Sequence, residues 1–232
     1  QDEIAALRAE LQVQRQARIA AESKLTFLHA EPTESNPPPS RMAIIVGLAK
    51  LAESRDDDTG QHLSRIRHYT TLIATAVAEL YPDQLSTAEV PIIGATSVLH
   101  DIGKVGISDD ILLNPNKLSD KQFDTMKKHA SIGADILISL SEQLGRDPWV
   151  DTAIQITLGH HEKWDGSGYP QGLKGQDIHI YGRIVGLIDV FDALMHKRVY
   201  KEAWSLEDTL DYIRKHSSSQ FDPYLVSILL EH

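Results

Sequence analysis

Residues 91–101 read Pro-Ile-Ile-Gly-Ala-Thr-Ser-Val-Leu-His-Asp, an apolar stretch that begins with proline and ends in two adjacent polar side chains. Proline is favoured in the first turn of a helix, where its missing N–H is not needed. The pattern therefore predicts a helix from Pro91 through Leu99, with His100 and Asp101 at its end. By itself this pair is weak evidence for a metal site, because a neighbour can also simply orient a histidine in a polar interior.

Helical spacing of apolar residues continues outward from this stretch in both directions. The predicted helices cover residues 42–53, 59–80, 130–143, 149–161, 182–195, 206–216 and 222–230, and one more helix opens at Ser119 or Asp120. Glycines and a proline interrupt the pattern over residues 162–180. No segment shows the strict alternation of a half-buried strand, so the sequence predicts an all-α fold.

The first 40 residues differ in composition from the rest. Residues 1–30 predict a signalling helix of coiled-coil type, residues 31–40 (EPTESNPPPS) a proline-rich linker, and residues 41–230 the main domain. A seven-residue register, interrupted at Gln14 and Arg18, gives the helix one apolar seam: Ile4, Leu7, Leu11, Ala21, Leu25 and Leu28. This seam favours a homodimer through the N-terminal helix. A single helix packed on its own domain fits the pattern equally well.

Composition and charge exclude several classes of protein. The chain has 232 residues and no cysteine, which excludes a disulfide scaffold, a thiolate zinc site and a cysteine nucleophile. The absence of cysteine also fits a reducing compartment, and we expect a cytoplasmic protein. The net charge of −10 argues against a nucleic-acid surface. No apolar run approaches the roughly 20 residues that a membrane span needs.

Further histidines and one aspartate strengthen the metal interpretation of His100 and Asp101. His129 follows two lysines, and the His160-His161 pair ends a predicted helix. Asp189 lies in a strongly apolar run, where an unpaired carboxylate is expensive and usually binds a partner or a metal. Imidazole and carboxylate together suit Fe, Mn, Zn and related divalent ions. Since carboxylates can bridge two ions, this set predicts a two-metal cluster.

Three segments of the sequence together resemble the HD-GYP family. His100-Asp101-Ile102-Gly103-Lys104-Val105-Gly106-Ile107 is similar to the family's first signature, and His160-His161-Glu162-Lys163-Trp164-Asp165-Gly166-Ser167-Gly168-Tyr169-Pro170 to its second. The third is Asp189-Val190-Phe191-Asp192-Ala193-Leu194, followed by Arg198 and Tyr200-Lys201. The resemblance runs from about Glu53 to Pro223, which is most of the domain.

This resemblance implies an HD-type helical bundle and a metal-dependent phosphodiesterase. Members of the family open cyclic di-GMP to pGpG, many continue to GMP, and some prefer cyclic GMP-AMP. The implied ligands of two divalent ions, with Asp101 bridging them, are His100, Asp101, His129, His160, His161 and Asp189. Fe or Mn are the favoured ions, with Zn, Ni and Co as other candidates. The resemblance also implies an upstream sensory or receiver domain.

A third ion is implied by a less complete match. In some members a histidine and an acid four residues before it bind this ion, and here those positions hold His62 and Asp58. The three-metal members carry glutamate where this chain has Asp58, whose side chain is one methylene shorter. Asp58 can equally be an acid that stabilises the start of a helix.

The resemblance also assigns residues that handle the substrate. Lys104 is the implied catalytic residue, together with Asp101, because its ammonium faces the phosphate in the family; the alternative is a surface lysine at a helix end. The implied substrate-binding residues are Gly168, Tyr169, Pro170, Asp192, Arg198 and Lys201. The loop can also simply cover the metals, and Arg198 and Lys201 can belong to a solvated helix end.

Two other functions compete with hydrolysis of a cyclic dinucleotide. A non-catalytic sensor of cyclic di-GMP need not keep all six ligands, and all six are present. A phosphohydrolase of mononucleotides is disfavoured by the Gly168-Tyr169-Pro170 loop, which the wider HD group lacks. The sequence analysis therefore favours metal-dependent hydrolysis of cyclic di-GMP.

Overall fold

The structure, a computed structural model, describes residues 41–55, 61–196 and 203–231. These residues contain helices and no strand, which confirms the all-α prediction. Within them the α-helices are α1 (Arg41–Glu53), α2 (Gln61–Leu80), α3 (Val90–Thr96), α4 (Asp109–Leu112), α5 (Asp120–Met126), α6 (His129–Leu144), α7 (Pro148–Gly159), α8 (Ile180–Met195), α9 (Leu206–Lys215) and α10 (Pro223–Glu231). Short 3-10 turns cover Ser97–Leu99, Ile102–Gly106 and Gly175–Asp177.

The predicted N-terminal helix and the proline-rich linker, residues 1–40, lie outside the described residues. None of the described helices combines the length and apolar character that a membrane crossing requires.

Local sequence signals account for the helix starts. Pro91 lies in the first turn of α3, as predicted. Ser119 caps α5 in a reciprocal arrangement, because its hydroxyl accepts from the Gln122 N–H and the Gln122 side chain accepts from the Ser119 N–H. Asp147 caps α7 by accepting from the backbone N–H of Trp149 at 2.9 Å. Each cap satisfies backbone donors that the first turn of a helix leaves unpaired.

The end of α3 differs from the sequence prediction. The α-helix stops at Thr96 rather than Leu99, and two 3-10 turns follow, with His100 and Asp101 between them. The second turn runs directly against α6, where a methyl group on Gly103 would lie 1.9 Å from the carbonyl oxygen of His129. Only glycine permits this approach, so the tighter path of the chain places Asp101 against the start of α6.

The interior consists of two apolar clusters. The larger one is built on α2, α3, α7, α8, α9 and α10 around Ile66, Ile93, Ile156, Ile184 and Ile188. The smaller one packs α1 against other elements around Leu63, Leu99, Leu137 and Ala153. Polar residues adjoin these core residues along the chain. His62 directly precedes Leu63, Leu99 precedes His100, and Ile188 precedes Asp189.

Candidate metal centre

Seven side chains from separate segments converge in two adjacent groups. The first group contains Asp101, His129, His160 and His161, and the second contains His62, His100 and Asp189. In each group the candidate ligand atoms lie within 4.8 Å of one another. The structure therefore brings together all six residues that the sequence analysis assigned to two ions, and it adds His62.

Asp101 stands at the centre of the first group. Its Oδ1 lies 3.2 Å from Nε2 of His129 and 3.7 Å from Nε2 of His160. The His161 ring packs next to these residues, with its centroid 5.0 Å from that of His129 and 4.0 Å from that of His160. One carboxylate oxygen thus faces the imidazoles of two different helices.

The second group shares Asp101 through its other oxygen. Oδ2 of Asp101 lies 3.3 Å from Nε2 of His100, which in turn lies 3.8 Å from Oδ1 of Asp189. The same Asp189 oxygen lies 4.0 Å from Nε2 of His62. The two oxygens of Asp101 therefore face the two groups separately, and Asp189 faces two histidines.

Backbone carbonyls fix three of the histidine rings. The Nδ1–H groups donate to the carbonyl of the residue three positions earlier: His100 to Ser97 at 2.9 Å, His129 to Met126 at 2.8 Å and His160 to Thr157 at 2.9 Å. A carbonyl can only accept, so each Nδ1 carries the hydrogen. In the neutral ring Nε2 then holds the lone pair that a metal binds.

Burial and neighbouring charges shift the pKa values of the clustered side chains. Burial lowers the pKa of His129, and burial together with His160 lowers the pKa of His161 well below its usual range. Burial also opposes the charged form of His100, yet the adjacent Asp101 carboxylate outweighs it and raises the pKa to about 9. Burial raises the pKa of Asp101 as well, but Lys104 and His100 hold it well below its usual range.

These residues fit divalent metal ions in two ways. First, Nε2 of His129 and Nε2 of His160 are 3.4 Å apart, so two lone pairs face each other when both rings are neutral. Second, Nε2 of His100 and Oε2 of Glu53 are buried and form no hydrogen bond among the described residues. Ligand atoms that bind one ion at about 2.0–2.2 Å lie at most about 4.3 Å apart. The separations of 3.2–4.0 Å fall within that limit.

Close helix crossings at glycine, which has no side chain, bring the candidate ligands together. A methyl group on Gly186 of α8 would lie 2.5 Å from the carbonyl oxygen of His160 at the end of α7. Gly186 is three residues before Asp189, so the close crossing brings the helix that carries Asp189 against the end of α7, where His160 and His161 lie. Bulkier residues at this position would force the two helices apart.

Asp192 lies beneath His62 and is only 1% exposed. It accepts from Nδ1–H of His62 at 2.7 Å and from the Arg65 guanidinium at 2.6 and 2.9 Å. Burial raises the pKa of Asp192, but the hydrogen bonds from His62 and Arg65 outweigh this and hold it far below its usual range. The sequence analysis assigned Asp192 to the substrate. The structure instead places its carboxylate against a histidine ring and an arginine.

Lys104 and the Gly168-Tyr169-Pro170 loop border the centre. Nζ of Lys104 lies 3.0 Å from Oδ2 of Asp101. The Tyr169 ring lies 4.7 Å from that of His161, and the exposed ring of Phe123 lies 6.5 Å from Tyr169. Lys104 and the loop thus flank the two histidine groups.

Three side chains that contact the centre or its loop were assigned no role in the sequence analysis. Glu53 ends α1 beside His62, Arg65 binds Asp192, and Glu162 folds the loop. The Glu162 carboxylate accepts from the backbone N–H groups of Gln171, Gly172 and Leu173 at 2.7–3.1 Å. Only its position directly after the histidine pair could have drawn attention to Glu162. The predicted site residues Asp58, Arg198 and Lys201 lie outside the described residues.

Comparison with known proteins places this geometry in a family. Residues 47–225 match the HD domain family. The chain is 42% identical over 202 residues to a cyclic di-GMP phosphodiesterase of Vibrio cholerae, covering 86% of this chain and 41% of that protein. It is 41% identical over 189 residues to the 3'3'-cGAMP-specific phosphodiesterase 2 of the same organism, covering 82% and 34%.

A solved structure of a cyclic GMP-AMP specific phosphodiesterase from Vibrio cholerae has the same fold. It superimposes with a TM-score of 0.57 at 20% identity, over 82% of this chain and 48% of that one. The chain spans about two fifths of the length of the curated relatives it matches, 43% and 41% for the first two. With its family match and its three signature segments, the chain belongs to the HD domain family, in the HD-GYP group.

Proposed function

We propose that this chain is a metal-dependent phosphodiesterase that hydrolyses cyclic di-GMP to pGpG, GMP or both. The observation that carries the proposal is the convergence of four histidines and two aspartates around the shared Asp101 carboxylate. Such a donor set holds two divalent ions in the arrangement used for phosphate ester hydrolysis. The printed name of the 42% identical relative supports cyclic di-GMP as the substrate.

The protein's own residues divide the work around the scissile phosphate. When bound, divalent ions supply an activated water and neutralise charge on the phosphate. The Lys104 ammonium, held beside Asp101, stabilises the negative charge that develops on the phosphate and the leaving 3′ oxygen. Tyr169, with Gly168 and Pro170, orients a guanine or its ribose at the edge of the centre. Arg198 and Lys201 add positive charge for a dianionic substrate.

Separation of reaction products tests this function. Purified protein is loaded anaerobically with Mn²⁺ or Fe²⁺ and mixed with cyclic di-GMP, and the nucleotides are separated by chromatography over time. We expect pGpG or GMP to accumulate only in the metal-loaded sample. Binding of cyclic di-GMP without any product would instead support the non-catalytic sensor. Hydrolysis restricted to mononucleotides would contradict both functions.

Cyclic GMP-AMP is the second candidate substrate. A relative 41% identical to this chain carries the name of a phosphodiesterase specific for 3'3'-cGAMP. Both dinucleotides should therefore be assayed in competition, and the ratio of their kcat/KM values decides the preference. A ratio above one in favour of cyclic GMP-AMP would overturn cyclic di-GMP as the main substrate.

Fe or Mn are the proposed native ions. The six ligands would hold two ions, and His62 would help to hold a third ion beside them. Imidazole and carboxylate sites accept several divalent metals, so Zn, Ni and Co are the competitors. Metal analysis after anaerobic purification, paired with activity, distinguishes these ions.

Regulation completes the proposal. The N-terminal helix pairs two chains into a homodimer, and an upstream sensory or receiver domain acts through it. Both features rest on the sequence pattern and the family resemblance. A cytoplasmic location is consistent with the cysteine-free composition.

A further inference from the structure

Glu53, the last residue of α1, buries its carboxylate beside the metal ligands. The residue is 6% exposed, and Oε1 lies 4.0 Å from Nε2 of His62. Its second oxygen, Oε2, is buried and forms no hydrogen bond with any described residue. A carboxylate in such a position is usually paired or coordinates a metal, because an isolated buried charge is very costly.

His62 presents the matching nitrogen. Asp192, an ionised carboxylate, accepts from Nδ1–H of His62 at 2.7 Å, which fixes the ring and leaves the lone pair on Nε2. That Nε2 lies 4.0 Å from Oε1 of Glu53 and also 4.0 Å from Oδ1 of Asp189. The nitrogen therefore faces two carboxyl groups, a combination that a cation satisfies.

The distances suit ligation of one ion. Two ligand atoms that bind the same ion at about 2.0–2.2 Å cannot be more than about 4.3 Å apart, and both separations meet this limit. They also exceed hydrogen-bonding distance, so a direct contact between the side chains does not explain them. The imidazoles of His129 and His160 instead face Oδ1 of Asp101.

We propose that Glu53 is the carboxylate ligand of the ion that His62 and Asp189 bind. The inference rests on the proposed metal centre and adds a ligand nine residues before His62, in a different helix. Asp58, the acid implied by family resemblance, carries a shorter side chain than the glutamate of three-metal members. Glu53, at the end of α1, instead supplies a glutamate side chain of the required length.

A purely structural role for Glu53 is the competing explanation, in which a neutral carboxylic acid fills the space at the end of α1. Glutamine has nearly the same size and remains neutral, so Glu53→Gln preserves that role and removes the charged ligand. The variant therefore separates the two explanations through metal binding, without reference to activity. Glu142→Gln, at an exposed position of α6, is the matched control.

Metal stoichiometry and affinity provide the test. Wild type, Glu53→Gln, Glu142→Gln and His62→Ala are loaded anaerobically with Mn²⁺, desalted and analysed for manganese per chain, and calorimetric titration gives each Kd. We expect Glu53→Gln and His62→Ala each to raise the Kd of the same single ion by at least about 100-fold. The double variant, Glu53→Gln with His62→Ala, should lose no more metal affinity than His62→Ala alone. Glu142→Gln should bind as the wild type does.

The outcomes that overturn the proposal are distinct from failure of the metal centre. Wild-type stoichiometry and affinity in folded Glu53→Gln would leave Glu53 a structural residue. Loss of every ion from a variant with normal helical content would make Glu53 a support of the whole centre rather than a ligand. If Glu53→Gln does not fold, unchanged binding in Glu53→Asp overturns the proposal. A wild-type protein that binds no divalent ion would contradict the proposed function itself.

Discussion

Asp101 contacts both halves of the centre. One oxygen faces His129 and His160, and the other faces His100 and Lys104 at 3.3 and 3.0 Å. A side chain that links two ligand groups in this way should control both metal binding and chemistry.

The first prediction concerns Asp101→Ala. Removal of the shared carboxylate should weaken metal binding and lower kcat/KM for cyclic di-GMP by at least about 100-fold. Helical content measured by circular dichroism should be retained, since the apolar clusters do not include Asp101. Asp110→Ala, an exposed acid on α4, is the control and should behave as wild type. Turnover at the wild-type rate in Asp101→Ala would end the two-metal mechanism.

The second prediction concerns substrate handling by Tyr169 and Arg198. Stacking on a base is worth about 1–3 kcal/mol, so Tyr169→Ala should raise KM by about 5- to 160-fold. Arg198→Ala should also mainly raise KM. Metal content should remain at the wild-type level in both variants, because the two ligand groups consist of histidines and aspartates.

Tyr169→Phe is the matched control for the ring. It keeps the aromatic face, so a KM near that of the wild type indicates stacking, whereas a large rise indicates a role for the hydroxyl. If either alanine variant loses its metal, that residue supports the centre rather than the substrate.

Single residues also show which contacts could not be predicted from the sequence. The adjacent His-Asp and His-His pairs stand out because local sequence and family resemblance mark them. The contacts of Asp192 with His62 and Arg65 join residues 130 and 127 positions apart, and nothing in the local sequence signals them. Glu53 belongs to the same category, since only the packing of α1 on α2 brings its carboxylate to His62.

Among the described glycines, Gly103 in the 3-10 turn Ile102–Gly106 leaves the least room for an added methyl group. It lies against the start of α6, and a methyl group on Gly103 would meet two backbone atoms, the His129 oxygen at 1.9 Å and the Gly133 nitrogen at 2.4 Å. Backbone atoms cannot rotate away as a side chain would. The turn and α6 must therefore separate if any side chain replaces Gly103.

The third prediction compares two glycine substitutions. Gly103→Ala should destabilise the protein by about 3 kcal/mol, because overpacking forces a backbone shift. Gly47→Ala, in the middle of α1 with nothing within 4 Å of the added methyl, should stabilise it by about 0.5–1 kcal/mol. Urea unfolding measures both effects.

The same comparison tests how the turn positions the ligands. In Gly103→Ala, Asp101 should move away from His129, so metal affinity should fall along with stability. Equal stability of the two variants, or unchanged metal affinity in Gly103→Ala, would show that the turn does not position Asp101.

Most elements were predictable from apolar spacing and helix-start residues, as Pro91 and Ser119 illustrate. The end of α3 was not, because the apolar pattern continues through Leu99 while the chain tightens to pass Gly103 over α6. Helix boundaries of this kind depend on a neighbouring element, which local periodicity does not reveal.

At the scale of the whole molecule, the net negative charge makes the positions of positively charged groups near the substrate important. The net charge is −10, yet the proposed substrate is a dianion. Binding of a dianion would therefore need a local positive field, which we propose that Lys104, Arg198, Lys201 and the divalent ions supply. The N-terminal seam is the second feature at this scale, since an apolar stripe of that length is costly to leave in water.

The fourth prediction concerns assembly. Residues 1–232 should dimerise, because pairing two copies of the seam buries its apolar residues in a two-fold contact. A chain that begins at Arg41 should remain monomeric. Light scattering over a range of concentrations compares the two. If both are monomers at every concentration, the dimer prediction is wrong.

A double substitution locates the contact. Leu7→Glu with Leu11→Glu places two charges on the seam and should return the full chain to a monomer. A dimer that survives this change would use a different surface.

The hydrogen bonds that fix His100, His129 and His160 all end on main-chain carbonyls, three residues earlier in each case. Such acceptors are present whatever side chain occupies position 97, 126 or 157. Substitution there can alter packing but cannot delete the acceptor that sets the direction of each ring. The orientation of these three rings should therefore tolerate point mutations at the residues that supply the carbonyls. It should be sensitive to insertions or deletions that change the three-residue spacing.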